Sequence, residues 1–420
     1  MDTQERVTRF GVYNARSMSH HGPVRWSSVA LAGLVSLLLA SRGFPEASLV
    51  PLGTLPNGSS ECEAYGISPD GTTVVGSCEV VPPGSSVTSE AFRWTESGGM
   101  VGLGHLLGSI QSRALDVALD GVTVVGYSGL ALCGRCDDQG VVWYGSELTP
   151  LGAEEGDTRA TGVSSDGAVV AGRFINFGFR WTSAGGVDLS YLADEAVGVS
   201  ADGETFALLN LDEWSRPMAY RWTASGGAVA LSPDYLVPKG ISPDGSTIVG
   251  VTNLLEQDPF DPQAFRWNQS EGVSILGKLP LLQYYYSTAN ATCAGGEIIV
   301  GRAYPPAPLV SQPSHAFVWN ARNGLRRLEQ ILELQGVELG GWRLTDARAI
   351  SDDCRLIAGV GTNPSGEIEG WVATVDFPLP AIAPLPATSS RLPLVAALLL
   401  IAGVLAVLRT RRRRVVPGRS

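Results

Sequence analysis

"ISPDGTTVVG" at residues 67–76 returns almost letter for letter as "ISPDGSTIVG" at 241–250. Each copy sets a Pro-Asp-Gly turn among Ile, Thr and Val. Gly supplies the positive φ that closes a tight turn and the β-branched flanks favour strands, so the phrase predicts a β-hairpin. A lone hairpin cannot bury its apolar face, so recurrence points to a repeat architecture. Degraded copies stand at 116–126 ("DVALDGVTVVG"), 162–172 ("GVSSDGAVVAG"), 198–208 ("GVSADGETFAL"), 291–301 ("ATCAGGEIIVG") and 349–359 ("AISDDCRLIAG"), making seven.

A short aromatic strand follows every copy, placing Trp94, Trp143, Trp181, Trp222, Trp267, Trp319 and Trp371 at equivalent points. Six of the seven then pass through a turn, usually Gly-rich, into a fourth apolar strand, as in "MVGLGHL" at 100–106 and "VSILGKL" at 273–279. From Asp70 to Asp353 the turn advances in six steps of about 47 residues. Four strands at that period are the signature of a propeller blade. The seventh repeat stops after its third strand at Val375, and Pro378 follows. "LVPLGTL" at 49–55 copies the fourth-strand pattern with no repeat before it, and a strand from there would complete the last blade and hide the open edges. The expectation is an all-β chain in which residues 48–377 form one seven-bladed β-propeller of four-stranded blades, closed by an N-terminal strand. Six blades or an open β-repeat array are the alternatives.

The 51 Gly and 26 Pro in 420 residues suit a chain of tight turns, and the 44% hydrophobic content allows a core shared between blades. Net charge is −11, although Arg409, Arg411, Arg412, Arg413, Arg414 and Arg419 all sit in the last stretch, so the repeats are more acidic still. That excludes nucleic-acid binding through a basic patch.

The two ends read differently from the repeats. Arg25 precedes the apolar run "VALAGLVSLLLA" (29–40) and a small, polar stretch, the layout of a secretory signal peptide within a 1–47 leader whose translation start could be Met18. A Pro-rich linker at 378–391 leads into the apolar 392–408 and the Arg-rich tail at 409–420. The apolar run is just long enough to cross a bilayer, and the arginines would hold its end in the cytoplasm. A permanent anchor and a processed sorting tail are both consistent with it. The predicted location is therefore exported, at the cell surface or outside the cell, with export machinery and a C-terminal processing protease as partners.

Six cysteines fit an oxidising compartment. Cys62 and Cys78 stand eight residues either side of Asp70, so the hairpin would place them face to face. Cys293 and Cys354 hold nearly equivalent turn positions in successive repeats, so a bridge between those blades is expected. Cys133 and Cys136 form a lone "CGRC", for which a local disulfide, a metal half-site and a redox pair stay open.

Catalytic chemistry is sparse. His105 and His315 are the only histidines of the repeats and read as structural; no G-x-S-x-G, H-E-x-x-H or phosphate loop occurs. One carboxylate per turn is too few for a dedicated calcium site, and the plainer role of each turn Asp is bonding its own turn. No catalytic residue, cofactor or metal is assigned. Long irregular connections carry the unassigned aromatics Trp214, Tyr284, Tyr285, Tyr286 and Trp342, which would either form a platform for a glycan or peptide or cover blade edges. Glu213, Asp258, Asp261 and Arg302 are further polar residues whose mutual placement the sequence leaves open.

The phrases "ISPDGSTIVG", "AFRWN", "SHAFVW" and the closing stretch at 341–375 resemble the bacterial HAF-repeat family of extracellular repeat proteins over residues 49–376. The linker, apolar run and Arg cluster resemble C-terminal sorting signals of the PEP-CTERM type, with "PLPA" at 384–387 but without the usual Pro-Glu-Pro. The resemblance implies export and a propeller-like array, and it brings no catalytic residue. The expected function is a non-enzymatic binding or structural module at the cell surface or in the extracellular matrix, with a glycan, polymer or protein ligand. A propeller-fold polysaccharide lyase or glycosidase is the alternative.

Overall fold

The computed structural model describes residues 46–56, 58–80, 88–129, 138–152, 156–189, 193–252, 261–280, 282, 285–306 and 312–377. The expected leader up to residue 45, the linker, the apolar run at 392–408, the Arg-rich tail, Cys133, Cys136, Tyr284 and Asp258 all lie outside the described residues. Among the described residues no helix is long and apolar enough to cross a membrane.

After β1 (Ser48–Pro51), strands come in fours. The first repeat holds β2 (Gly58–Ile67), β3 (Thr73–Val80), β4 (Thr88–Thr95) and β5 (Gly99–Gly102). The second holds β6 (Gln111–Val117), β7 (Thr123–Gly129), β8 (Gln139–Tyr144) and β9 (Glu147–Pro150). The third runs through β10 (Thr158–Val163), β11 (Val169–Phe174), β12 (Phe177–Thr182) and β13 (Gly186–Leu189). The fourth has β14 (Glu195–Val199), β15 (Thr205–Leu211), β16 (Pro217–Thr223) and β17 (Gly227–Ala230). The fifth has β18 (Leu236–Ile241), β19 (Thr247–Thr252), β20 (Ala264–Asn268) and β21 (Gly272–Ile275). The sixth has β22 (Tyr286–Thr292), β23 (Ile299–Tyr304), β24 (His315–Asn320) and β25 (Gly324–Arg327). The last has β26 (Arg343–Ile350), β27 (Leu356–Thr362) and β28 (Ile368–Thr374), and β1 pairs antiparallel with β28 from Ser48–Thr374 to Pro51–Trp371.

The chain is an all-β propeller in which five four-stranded sheets stand as separate blades. The sequence reading expects seven separate blades. The structure differs because the first two repeats share one eight-stranded sheet, joined where Ser89 of β4 and Gln111 of β6 form a parallel bridge.

The repeated phrase explains the hairpins residue by residue. Ser68 Oγ donates to Asp70 Oδ1 (2.7 Å) and accepts from the Thr73 N–H (3.0 Å), which locks the turn. The same latch recurs at Ser164–Asp166, Ser200–Asp202, Ser242–Asp244 and Ser351–Asp353, always with the Ser buried. The Ser hydroxyls at 164 and 200, followed by backbone N–H groups, hold Asp166 and Asp202 below the usual carboxylate range. The Gly that ends the phrase is required by close approach, since a Cβ on Gly76 would lie 2.0 Å from the Glu63 carbonyl oxygen and 2.7 Å from the Phe92 ring.

Turns of neighbouring repeats are tied by backbone bonds at the residue after the latch position. Leu119 N–H donates to Ser165, Ser165 to Ala201, Ala201 to Pro243, Ala294 to Asp352, and Asp352 to Pro69. Pro69 and Pro243 have no N–H to pass the chain of bonds onward.

The core lies between neighbouring sheets. Leu52 and Leu55, just after β1, pack with Cys62, Val74 and Phe92 of the first repeat and Ala358 and Val372 of the last. A helix absent from the sequence reading, α1 (Leu328–Leu334), lays Leu328, Ile331 and Leu332 against Val318, Trp371 and Val375. Its three-and-four spacing is a helical stripe. The bridges Cys62–Cys78 (S–S 2.07 Å) and Cys293–Cys354 (S–S 2.04 Å) are both formed, the first directly across the β2–β3 hairpin.

Candidate functional site

Every first strand of a repeat carries a β-bulge at the same point, so one residue is left out of the pairing at Tyr65, Leu115, Thr161, Val197, Lys239, Asn290 and Arg348. A bulge re-aims its side chain. All seven line one cavity of about 210 Å³ at which the seven first strands meet. Its wall is uneven: Tyr65, Lys239, Asn290 and Arg348 come from consecutive repeats, with Leu115, Thr161 and Val197 completing the circuit.

A charged network backs the polar arc. Arg348 Nη1 reaches Glu63 Oε2 (3.2 Å) and its Nε reaches Asp346 Oδ2 (3.0 Å), while Asn290 Nδ2 donates to Asp346 Oδ1 (2.7 Å). Tyr65 OH donates to Glu63 Oε2 (2.5 Å) and accepts from Arg113 Nη1 (3.2 Å). Burial, with Glu63 adding to it, pushes the Tyr65 hydroxyl above its usual range, so it stays protonated. Burial by itself would raise Glu63 as well, yet Arg348, Tyr65 and Arg113 together hold it below the usual carboxylate range. Lys239 is exposed to the cavity and makes no ion pair or hydrogen bond among the described residues. Asp116 also faces the cavity; its oxygens accept from Val117 N–H and Val163 N–H (both 2.9 Å), and burial pushes its pKa up to about 6. Asp352 is pushed up to about 6 by burial and by Asp353. None of these wall residues stands out in the sequence by type. What marks them is position, a column of changing side chains inside an otherwise constant phrase.

The aromatic residues singled out from the sequence do not come together. Trp214 is 66% exposed at the tip of the β15–β16 connection. Asp212 Oδ1 accepts from the N–H groups of Trp214 and Arg216 (both 2.9 Å), and Arg216 Nε donates to Asp212 Oδ2 (2.7 Å). The Arg216 guanidinium lies 4.5 Å from the ring centroids of both Trp214 and Tyr235. Trp214 is thus held in place by cation–π contact and a closed turn before any ligand arrives.

Tyr285 does not belong to a ligand face. It is 3% exposed, packs with Leu279 and Phe317, and stacks on His315 at 5.9 Å. Along this edge Tyr285, Ser287 and Ala289 alternate inward with the period of a strand, which turns Tyr286 to the other face, edge-on to Tyr304 at 5.6 Å. Trp342 is half-buried against the cluster of Leu344 and Trp371. Asp261 pairs with Lys278 (2.7 Å), and Arg302 lies over Tyr304 (4.7 Å); neither joins Glu213 among the described residues. His315 is buried beside Glu329, with Nδ1–Oε2 at 3.9 Å, and burial reinforced by Arg327 lowers its pKa, leaving it neutral at pH 7. His105 is exposed, its Nδ1 3.3 Å from the Leu106 carbonyl. Among the described residues no group of three or more His, Cys, Asp or Glu is placed to hold a metal ion.

No protein-family model and no curated protein matches the chain. Solved propellers do. The β-propeller domain of the trilobed protease from Pyrococcus furiosus, described as having an open velcro topology, is similar with a TM-score of 0.50 and 8% identity over 77% of this chain and 99% of that one. A prolyl endopeptidase is similar with a TM-score of 0.50 and 11% identity over 77% of this chain and 51% of that one. At such identities the likeness shows the fold alone.

Proposed function

We propose that the chain is an exported, HAF-like repeat protein that works as a non-enzymatic binding module for an extracellular glycan, its fold a closed seven-bladed ring. The eight-stranded sheet then counts as two blades and β1 is the closing strand. Support for the count comes from the seven bulged first strands around one cavity and from the turn-to-turn bonds, which run from the last repeat to the first through Asp352 and Pro69. Two disulfides agree with an oxidising destination. Export by the leader and sorting or anchoring by the 392–408 segment belong to the same reading.

The observation that carries the binding role is Trp214, a large ring two-thirds exposed yet fixed by Asp212, Arg216 and Tyr235. An exposed, immobilised indole offers stacking area at little entropic cost. Pull-down on insoluble polysaccharides and a glycan array test it. Trp214→Ala is expected to weaken retention at least about tenfold, equal to about 1.4 kcal/mol, with an unchanged melting temperature. Equal retention by the variant would sink the reading.

A lyase or glycosidase is the second reading, favoured by the meeting of Arg113 and Glu63 with Tyr65 and Arg348, the last two at the cavity wall. In this network Glu63 is engaged by Arg348 and Tyr65 keeps its proton, which suits a structural brace better than a general base. Release of reducing or unsaturated ends from polymers incubated with the chain would put that reading first.

A further inference from the structure

A second cavity, of about 240 Å³, lies where the first two repeats share their sheet, and it is built by side-chain alternation. Cys62 and Cys78 point into the core, so their neighbours Glu63 and Ser77 face the opposite side, toward Gln111 and Arg113 of β6. Tyr65 and Ser89 complete the wall. The cavity holds several water volumes, about the size of one sugar ring.

Its polar groups retain unused bonding capacity of both kinds. Glu63 spends Oε2 on Tyr65 and Arg348, leaving Oε1 without a partner among the described residues. Gln111 gives Nε2 to Asp138 (3.0 Å), leaving its carbonyl oxygen. Arg113 gives Nη1 to Tyr65, leaving Nη2. The hydroxyls of Ser77 and Ser89 make no hydrogen bond among the described residues, although Ser77 is only 6% exposed. Interleaved donors and acceptors around a cavity of this size complement a ring of hydroxyls, each of which both donates and accepts. Charge narrows the class further. Glu63 Oε1, the carboxylate oxygen left over, lines the cavity, so the carboxylate of an acidic sugar would meet like charge there.

We propose that this cleft binds one pyranose unit carrying no acidic group, a neutral or amino hexose. It is a site separate from Trp214, so the two can fail independently. Calorimetry on the purified full chain with glucose, galactose, mannose, their 2-amino forms and glucuronate tests it. At least one neutral or amino hexose should bind with a dissociation constant near the millimolar range, and glucuronate at least tenfold more weakly. Gln111→Ala and Ser77→Val should each weaken that binding about tenfold, whereas Trp214→Ala should leave it unchanged. If one cleft variant fails to fold, the other decides. Absence of binding by any of the neutral or amino sugars, equal binding of glucuronate, or unchanged affinity in the folded cleft variants would each overturn the proposal. Monosaccharide binding without polymer retention would remove only the Trp214 reading.

Discussion

Asp116 occupies a position held elsewhere by small residues, Gly66, Gly162, Gly198, Gly240, Ala291 and Ala349. Its carboxylate ties the second repeat to the third by accepting the Val163 N–H, a partner 47 residues away that no local pattern reveals. Burial raises its pKa from 3.8 to about 6, so the folded state binds the proton more tightly than the unfolded chain does. Its contribution is therefore fully present below about pH 4 and is lost as pH rises through about 6. After allowance for water in the cavity this amounts to about 2 kcal/mol. Asp116→Asn keeps the neutral form at every pH. Unfolding by denaturant at pH 4 and pH 7 should show the native chain losing about 2 kcal/mol relative to this variant. A difference that does not change with pH would refute the account. The turn carboxylates were legible, because Ser-x-Asp-Gly chemistry is local; the wall residues were not, because a bulge changes which way a side chain points without changing its type.

At the scale of elements, the sequence carries the hairpins and both observed cystine pairings, since one follows from symmetry about Asp70 and the other from equivalence between repeats. The two bridges close loops of different length, with sequence separations of 16 and 61. Chain entropy assigns about 3 kcal/mol to the shorter and about 4 kcal/mol to the longer. Replacing Cys293 and Cys354 together by Ser should cost more stability in denaturant titration than replacing Cys62 and Cys78. The reverse order would show that native-state contacts outweigh loop closure. Helix α1 escapes a reading tuned to strands because it interrupts the repeat where a connection is expected. Of the two roles the sequence left open for Tyr285, burial selects packing, for a related reason. Whether a residue next to a strand faces in or out depends on where the strand's alternation begins, and that is settled by pairing with β23.

For the whole molecule, the proposed ring closure is the property with the largest consequence. Deleting residues 49–55 would remove the β1–β28 ladder and the buried Leu52 and Leu55, which are 4% and 5% exposed. Each such leucine contributes about 2 kcal/mol by burial. The deletion should lower stability by at least about 3 kcal/mol and broaden the thermal transition; an unchanged melt would sink the closure argument.

The sequence alone carries an all-β chain of sevenfold phrases, its hairpins and the two observed cystine pairs, because turn chemistry, period-two patterning and repeat spacing act over short or regular separations. Only the tertiary structure decided that Glu63 and Arg348, 285 residues apart, meet beside Tyr65, that Ser89 and Gln111 fuse two sheets, and that Trp214 stands out while Tyr285 is buried. Those outcomes depend on how sheets pack around a common cavity, which joins residues with no fixed spacing along the chain.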